Sequence, residues 1–142
     1  KPANANMRVR LLRLAFAGNN RCEIDTQELE RDGVSYSIDT IINFSRLFPE
    51  AKLYYLIGAD HILTLPKWRE AKRLANLVDF VVVPRPRQKA AEFPKPFRGQ
   101  SLNGWPFEVS SSVIRQRLAI GLPIDDLVPA HVADALKKNN PY

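Results

Sequence analysis

The feature that most constrains the fold is a pair of continuous apolar runs separated by a helical segment. Residues 53–57 form the first run, which Gly58 closes, and residues 80–83 form the second, which Pro84 closes. Strands that are apolar on both faces are typical of buried parallel sheets. A helix is predicted between them over about residues 66–76, since proline suits a first helical turn. This strand–helix–strand crossover predicts an α/β fold with a doubly wound parallel sheet.

The rest of the chain predicts further helices and two short strands. Apolar spacing gives a helix over residues 8–17, ended by Gly18, and Ser35 and Ser37 are expected to cap a second helix that Pro49 stops. Other helices are predicted over residues 111–120 and from about residue 129, with strands over residues 22–24 and 107–109. The proline-rich residues 84–106 are interpreted as a surface connection, so residues 1–142 are predicted to form a single domain.

Composition excludes several classes of protein. The chain has 142 residues, of which 45% are hydrophobic and 25% charged, as in soluble globular domains. No apolar run approaches the roughly 20 residues of a membrane span, and the first residues lack the apolar stretch of a signal peptide. We therefore expect no membrane contact. The single cysteine, Cys22, is expected to be a small buried residue in a cytoplasmic protein, and one cysteine with two histidines excludes a structural zinc site.

The charge balance predicts attraction to anions without deciding which. The formal net charge is +6, from 21 Lys and Arg against 15 Asp and Glu. Nucleic acid, nucleotides and acidic lipid all fit such a balance. The basic residues form no run of five or six and no cluster with interleaved aromatic residues, so we expect no nucleic-acid partner.

Polar residues follow the predicted strands, at the edge where open parallel sheets bind ligands. Gly58 allows close approach of a ligand and Asp60 is able to accept hydrogen bonds from ribose hydroxyls; alternatively, Gly58 turns the chain and Asp60 caps a helix. Trp68 suits stacking on a flat ring, or is a core residue. Arg85, between two prolines, suits a phosphate, or is an ordinary solvated arginine. Each residue alone leaves both readings open.

The most specific pattern is Ser110-Ser111-Ser112, which leads from a strand into a helix that carries Arg115. Free backbone N–H groups and the helix dipole favour an anion at such a terminus. The serine hydroxyls add donors, and Arg115 is expected to face the same way as Ser111. A capped helix with a surface arginine gives no reason for three consecutive serines. The pattern therefore predicts a phosphate site.

Four motifs occur in a fixed order along the chain. They are EL at 28–29 with SYSIDT at 35–40, LIGAD at 56–60 with LPKW at 65–68, VPRP at 83–86, and VSSSVIR at 109–115. Together they resemble the bacterial nicotinate mononucleotide adenylyltransferases, whose phosphate motif is I-S-x-x-x-I-R. The resemblance runs from about Arg8 to the C-terminus and implies a Rossmann-like fold of the nucleotidyltransferase type.

The resemblance also implies a reaction. ATP and nicotinate mononucleotide would give nicotinate adenine dinucleotide and pyrophosphate, the adenylyl step of NAD synthesis. The mononucleotide phosphate would attack the α-phosphorus, with Mg²⁺ bound through the substrate phosphates and no metal ligands on the protein. No protein nucleophile is needed, since positioning and charge stabilisation carry such transfers.

Roles for individual residues follow from the motifs. The resemblance implies that Trp68 stacks on the pyridine ring, with Ser37 and the backbone of Arg69 near its carboxylate. The residues implied at ATP are Gly58 and Asp60 at the ribose and Ser110, Ser111, Ser112 and Arg115 at the phosphates. Those implied at the mononucleotide are Ser37, Trp68, Arg69 and Arg85. Ser111 and Arg115 are the candidates for a catalytic role.

The sequence departs from the family at one motif. The family begins with a strand and a Gly-rich loop whose H-x-G-H signature grips the triphosphate, whereas this chain has no H-x-G-H and its His61 and His131 are far apart. We expect the chain to be N-terminally incomplete, lacking a first strand–helix–strand unit of roughly 30 residues or more that carries the principal catalytic histidines.

Two other interpretations stay open. Phosphopantetheine and other small nucleotidyltransferases share the fold and the serine–arginine motif, but they do not account for Trp68 at its spacing from residues 56–60. A non-catalytic nucleotide-binding remnant would account for the absent H-x-G-H. The pattern predicts neither acid-versus-amide preference nor oligomeric state, and a homo-oligomer is compatible with it.

Overall fold

The computed structural model describes residues 3–83, 91–103, 109–139 and 141. Arg85 and most of the strand predicted over residues 107–109 lie outside the described residues. The described residues form helices and one parallel sheet, so the α/β class is confirmed. The elements in chain order are α1 (Ala5–Ala15), α2 (Gln27–Glu30), α3 (Ser37–Leu47), β1 (Tyr54–Gly58), a 3₁₀-helix (Ala59–Lys67), α4 (Ala71–Leu77), β2 (Asp79–Val83), β3 (Gly99–Ser101), α5 (Ser111–Ala119) and α6 (Ala130–Asn139).

These elements group into two compact units. The sheet unit is Arg31–Glu108, and the terminal unit combines Lys1–Glu30 with Val109–Tyr142. The prediction of a single domain over residues 1–142 stays a prediction. No helix in the described ranges is long and apolar enough to cross a lipid bilayer.

The sheet unit contains the predicted crossover. Strands β1 and β2 pair in parallel, with Ile57 opposite Val82 and Gly58 opposite Val83. Strand β3 then pairs in parallel with the other edge of β2, which gives the order β1-β2-β3. The two strands of the predicted crossover are confirmed, and their carboxyl ends lie side by side at one edge of the sheet.

Strand β1 is buried on one face only, so the prediction of burial on both faces is wrong for this strand. Ile57 is buried with Phe80 and Val82 in a core that α3, the 3₁₀-helix and α4 complete. Tyr54 and Leu56, by contrast, are 54% and 62% exposed. Successive side chains of a strand point to opposite faces, so α3, the 3₁₀-helix and α4 pack on the face that carries Ile57, while Tyr54 and Leu56 lie on the other face.

The helix predicted over residues 66–76 is divided in the structure. Pro66 lies within the 3₁₀-helix, and α4 begins only at Ala71. Between them Glu70 has φ 48° and ψ 41°, a left-handed conformation that a right-handed helix cannot include. Trp68 therefore lies in a break between two helices instead of in the first turn of one.

Residues 84–106 are more than the surface connection that was predicted. They contain strand β3, and Phe97 belongs to the buried core. Gly99 approaches β2 so closely that a Cβ there would lie 2.3 Å from the carbonyl oxygen of Phe80. The strand was missed because all three of its residues are exposed and none is apolar.

The terminal unit has a small core of its own. Buried residues of α6 and Ile124 pack with partly buried residues of α1 and α5, which confirms these three helices. The strand predicted over residues 22–24 is wrong: the segment has no regular structure, and Cys22 is exposed. Its backbone N–H donates to the carbonyl of Asn19, so this part of the chain is tied into a turn after Gly18 instead of into a sheet.

Candidate functional site

A cavity of about 270 Å³ lies in the sheet unit, between the start of α3 and the break before α4. Its lining residues are Ser35, Tyr36, Ser37, Ile38, Lys67, Trp68, Arg69 and Leu74. The structure thus brings together Ser37, Trp68 and Arg69, three of the four residues predicted at the mononucleotide. Pockets for drug-sized ligands measure about 300–1,000 Å³, so this cavity suits a single ring with its substituent better than a whole dinucleotide.

Trp68 is half-buried and packs against the core of the sheet unit while it lines the cavity. Its indole N–H lies 3.4 Å from the Oγ1 of Thr64. The rings of Tyr55 and His61 meet the indole edge to face, with centroids 6.1 and 6.0 Å away. Contacts on the core side therefore hold the Trp68 ring, as its reading as a core residue expects. The ring also lines the cavity, but its stacking on a flat ligand ring stays a prediction.

Ser37 does not cap α3 as predicted. The residue at the N-cap position is Tyr36, and it makes no side-chain capping bond. The hydroxyl of Ser37 lies instead 2.9 Å from the hydroxyl of Tyr55 on β1. The polar group at this side of the cavity is therefore held by the sheet, not by the backbone of its own helix.

Arg69 and Lys67 bring positive charge to the cavity. The guanidinium carbon of Arg69 lies 4.4 Å from the centroid of the Tyr36 ring, within the range of a cation–π contact. This contact restricts the direction of an exposed and otherwise flexible side chain. Two cations therefore lie at the cavity lining, Lys67 at the end of the 3₁₀-helix and Arg69 in the break before α4.

Gly58 and Asp60 lie at the carboxyl end of β1, the edge at which parallel sheets bind ligands. Gly58 lies where β1 passes into the 3₁₀-helix, and its φ of −74° is a conformation open to any residue. Asp60 is exposed in the first turn of the 3₁₀-helix and is not its N-cap; its Oδ2 lies 3.9 Å from the Nε2 of His61. A role for both residues at a ribose stays a prediction.

The serine motif lies in the terminal unit, at the start of α5. Ser110 is the N-cap, and its hydroxyl accepts the backbone N–H of Val113 at 3.3 Å. The Nη2 of Arg115 donates to the hydroxyl of Ser112, three residues before it on the helix, at 3.1 Å. The helix terminus is capped as the simpler reading expects, and the arginine is directed toward it. Phosphate binding by this motif stays a prediction.

Two tyrosines of this region were missed by the sequence analysis. Tyr55 was absorbed into an apolar run, although it shares the inward face of β1 with Ile57 and its hydroxyl therefore needs a partner. Tyr36 stands inside the SYSIDT motif without a role of its own. Within the described ranges, no three His, Cys, Asp or Glu side chains cluster so as to hold a metal ion.

A comparison with protein families places these features in a known group. The model of the cytidylyltransferase-like family matches residues 1–117. The chain belongs to this family. The match includes the cavity, the end of β1 and the serine motif, so every candidate residue lies inside the family's part of the chain.

Curated relatives confirm the resemblance drawn from the four motifs. A probable nicotinate-nucleotide adenylyltransferase of Bacillus licheniformis is 38% identical over 136 residues, which are 95% of this chain and 70% of that protein. The nicotinate-nucleotide adenylyltransferase of Bacillus subtilis is 37% identical over 135 residues, again 95% and 70%. A relative from Geobacillus thermodenitrificans is 38% identical over 135 residues, 95% of this chain, but the chain spans only 61% of it.

Solved structures confirm the fold. The nicotinic acid mononucleotide adenylyltransferase of Plasmodium falciparum, complexed with NaAD, superimposes with a TM-score of 0.73 at 18% identity, over 99% of this chain and 75% of that one. A putative nicotinate-nucleotide adenylyltransferase from Vibrio parahaemolyticus also gives 0.73, at 15% identity, over 99% and 72%. The cytidylyltransferase-like chain therefore has the Rossmann-like nucleotidyltransferase fold that was predicted.

Proposed function

We propose that this protein transfers the adenylyl group of ATP to nicotinate mononucleotide, giving nicotinate adenine dinucleotide and pyrophosphate, a step of NAD biosynthesis. The observation that carries the proposal is the cavity in which Ser37, Trp68 and Arg69 meet. Relatives named for this activity, at 37–38% identity over 95% of the chain, support it. The protein acts in the cytoplasm as a single nucleotidyltransferase domain.

The cavity receives the pyridine ring and its carboxylate. Trp68 offers a fixed aromatic surface for stacking on the ring. The Ser37 hydroxyl and the backbone N–H of Arg69 bind the carboxylate, and the positive charge of Lys67 and Arg69 favours this acid over the neutral amide. Arg85 binds the phosphate of the mononucleotide.

We assign to ATP the residues that the motifs imply. Gly58 and Asp60 bind the adenosine ribose at the carboxyl end of β1. The phosphates are bound by Ser110, Ser111, Ser112 and Arg115. The N-terminus of α5 supplies the positive end of a helix dipole, which an arginine directed toward Ser112 strengthens. Ser111 and Arg115 thereby stabilise charge on the reacting phosphates.

The chemistry needs no covalent bond to the protein. An oxygen of the mononucleotide phosphate forms a bond to the α-phosphorus of ATP, the α–β bridging bond breaks, and pyrophosphate leaves with the electron pair. The residues act by holding both phosphates in line and by balancing their charge. Mg²⁺ bound through the substrate phosphates would supply further neutralisation of their charge.

The proposal is tested by incubating the protein with ATP, Mg²⁺ and nicotinate mononucleotide, and measuring pyrophosphate and dinucleotide together. Equal amounts of both products are expected. Turnover with phosphopantetheine but not with the mononucleotide would contradict the proposal and favour the other nucleotidyltransferases. Binding of both substrates without any product would favour a non-catalytic nucleotide-binding protein.

A further inference from the structure

Tyr55 contacts two residues of the cavity although it does not line the cavity itself. Its hydroxyl lies 2.9 Å from the Oγ of Ser37, and its ring meets Trp68 edge to face at 6.1 Å and 88°. On the core side the same ring meets Phe80 at 6.0 Å and 85°, and Phe80 is fully buried. One side chain of β1 thus joins the rigid core of the sheet to both a polar and an aromatic group of the cavity.

The hydroxyl pair can be oriented in two ways, since either oxygen is able to donate. An ionised carboxylate accepts hydrogen bonds only, so Ser37 binds it only by donating its own proton. Ser37 is free to do so when Tyr55 donates to the serine oxygen. A carboxamide both donates and accepts, and it is satisfied by either orientation.

We propose that Tyr55 is a positioning residue that directs the Ser37 hydroxyl toward a carboxylate and fixes the Trp68 ring beside it. The inference rests on the proposed function and deepens it, because it assigns part of the discrimination between carboxylate and carboxamide mononucleotides to a residue outside the cavity. The phenolic hydroxyl acts only through Ser37 and touches no reacting atom.

The test compares Tyr55→Phe with Tyr54→Phe, which removes the same hydroxyl from the exposed neighbouring residue. The measured quantity is the ratio of kcat/KM for nicotinate mononucleotide to kcat/KM for nicotinamide mononucleotide. In Y55F this ratio is expected to fall about fivefold through KM, with kcat for the acid unchanged, as for the loss of one hydrogen bond. In Y54F both values stay at the wild-type level.

A second pair of variants tests the route through Ser37. Ser37→Ala is expected to lower the same ratio, and the double variant S37A/Y55F is expected to lower it no further, because the two hydroxyls act in series. S37A also tests the hydrogen bond from its other end if Y55F proves unstable on heating.

Three results would overturn the inference. Given a wild type that prefers the acid, the first two are a ratio of kcat/KM values that is unchanged in Y55F or unchanged in S37A. The third is that Y55F lowers the ratio in the S37A background as much as it does in the wild type. A wild-type protein that uses neither mononucleotide contradicts the proposed function itself, and the inference falls with it.

Discussion

The ammonium group of Lys52 lies 2.7 Å from the Oδ2 of Asp79, which joins the residues just before β1 to the first residue of β2. The Nε of Arg98 approaches the other oxygen of the same carboxylate at 3.4 Å. Arg98 immediately precedes β3. One carboxylate at the start of the central strand therefore connects the amino ends of all three described strands.

This pair predicts how stability depends on pH. The hydrogen bond from Lys52 lowers the pKa of Asp79 below its ordinary value of 3.8, and the same bond raises the pKa of Lys52 above 10.5. Because the pKa of Asp79 is lowered, its contribution to stability is fully present above pH 3.8 and is lost as the pH falls through the folded pKa of Asp79. Because the pKa of Lys52 is raised, its contribution is fully present below pH 10.5 and is lost as the pH rises through the folded pKa of Lys52.

Urea unfolding of the wild type and of Asp79→Asn between pH 2 and pH 7 measures the acid arm. We expect the wild type to be more stable at neutral pH, with the difference shrinking as the pH falls below about 4. Glu92→Gln, which changes an exposed carboxylate, is the control. Its unfolding free energy should follow that of the wild type over the whole pH range. A difference that is constant down to pH 2 would contradict the assignment.

Gly99→Ala is expected to destabilise the sheet unit. The added Cβ would lie 2.3 Å from the carbonyl oxygen of Phe80, and that oxygen belongs to the central strand and cannot move aside. Overpacking of this kind costs about 1–3 kcal/mol of unfolding free energy.

Gly33→Ala is the matched control: its φ of +80° is strained for alanine, but nothing lies within 4 Å of the added Cβ. Thermal unfolding of both variants decides, and a smaller loss for G99A than for G33A would count against a close β2–β3 contact.

The strands of the sheet show how far the fold could be predicted from the sequence. Strands β1 and β2 were predicted because their apolar runs report burial directly. Strand β3 was missed because Gly99-Gln100-Ser101 carries no apolar signal, and its conformation depends on pairing with β2. Residues 22–24 fit a strand locally but pair with no strand among the described residues. Pairing is a tertiary property that a local pattern does not contain.

Trp68→Ala is expected to raise the KM for nicotinate mononucleotide about tenfold and the KM for ATP much less. Stacking of a base on an aromatic side chain contributes roughly 1–3 kcal/mol, and Trp68 is the indole that lines the cavity. Steady-state kinetics with each substrate varied in turn give both constants. Trp68→Phe, which keeps an aromatic ring against Tyr55, should show a smaller effect. Equal increases for both substrates would refute the stacking role.

Arg69→Gln is expected to raise the KM for the acid mononucleotide several-fold while leaving the KM for ATP unchanged. The arginine lines the cavity, and its contact with Tyr36 holds the charge there. Arg73→Gln removes the same charge from an arginine that pairs with Glu70 and does not line the cavity, so its kinetics should match the wild type. If the KM for the acid mononucleotide rises equally in both variants, the loss of net positive charge is responsible, and not a local contact of Arg69.

The sequence predicted the residues that line the cavity but not the contacts that hold them. Ser37 precedes the neighbouring Trp68 and Arg69 by about 30 residues, and the motifs predicted all three at one ligand. The structure brings them to one cavity, while their contacts with a ligand stay a prediction. The contacts that hold them could not be predicted, because they involve Tyr55 and Tyr36, whose roles depend on where β1 and α3 meet. Motifs identify residues that touch a ligand; the residues that orient them are decided by packing.

Arg115→Ala is expected to raise the KM for ATP about tenfold, with a smaller change for the mononucleotide. The guanidinium donates to the Ser112 hydroxyl at the start of α5, so its charge lies at the helix terminus where phosphates are favoured. Arg117→Ala is the control on the same helix, since Arg117 donates instead to the carbonyl of Pro123. Titration with a nonhydrolysable ATP analogue, followed by calorimetry, separates binding from turnover. Unchanged ATP affinity in R115A, or an equal loss in R117A, would remove Arg115 from the phosphate site.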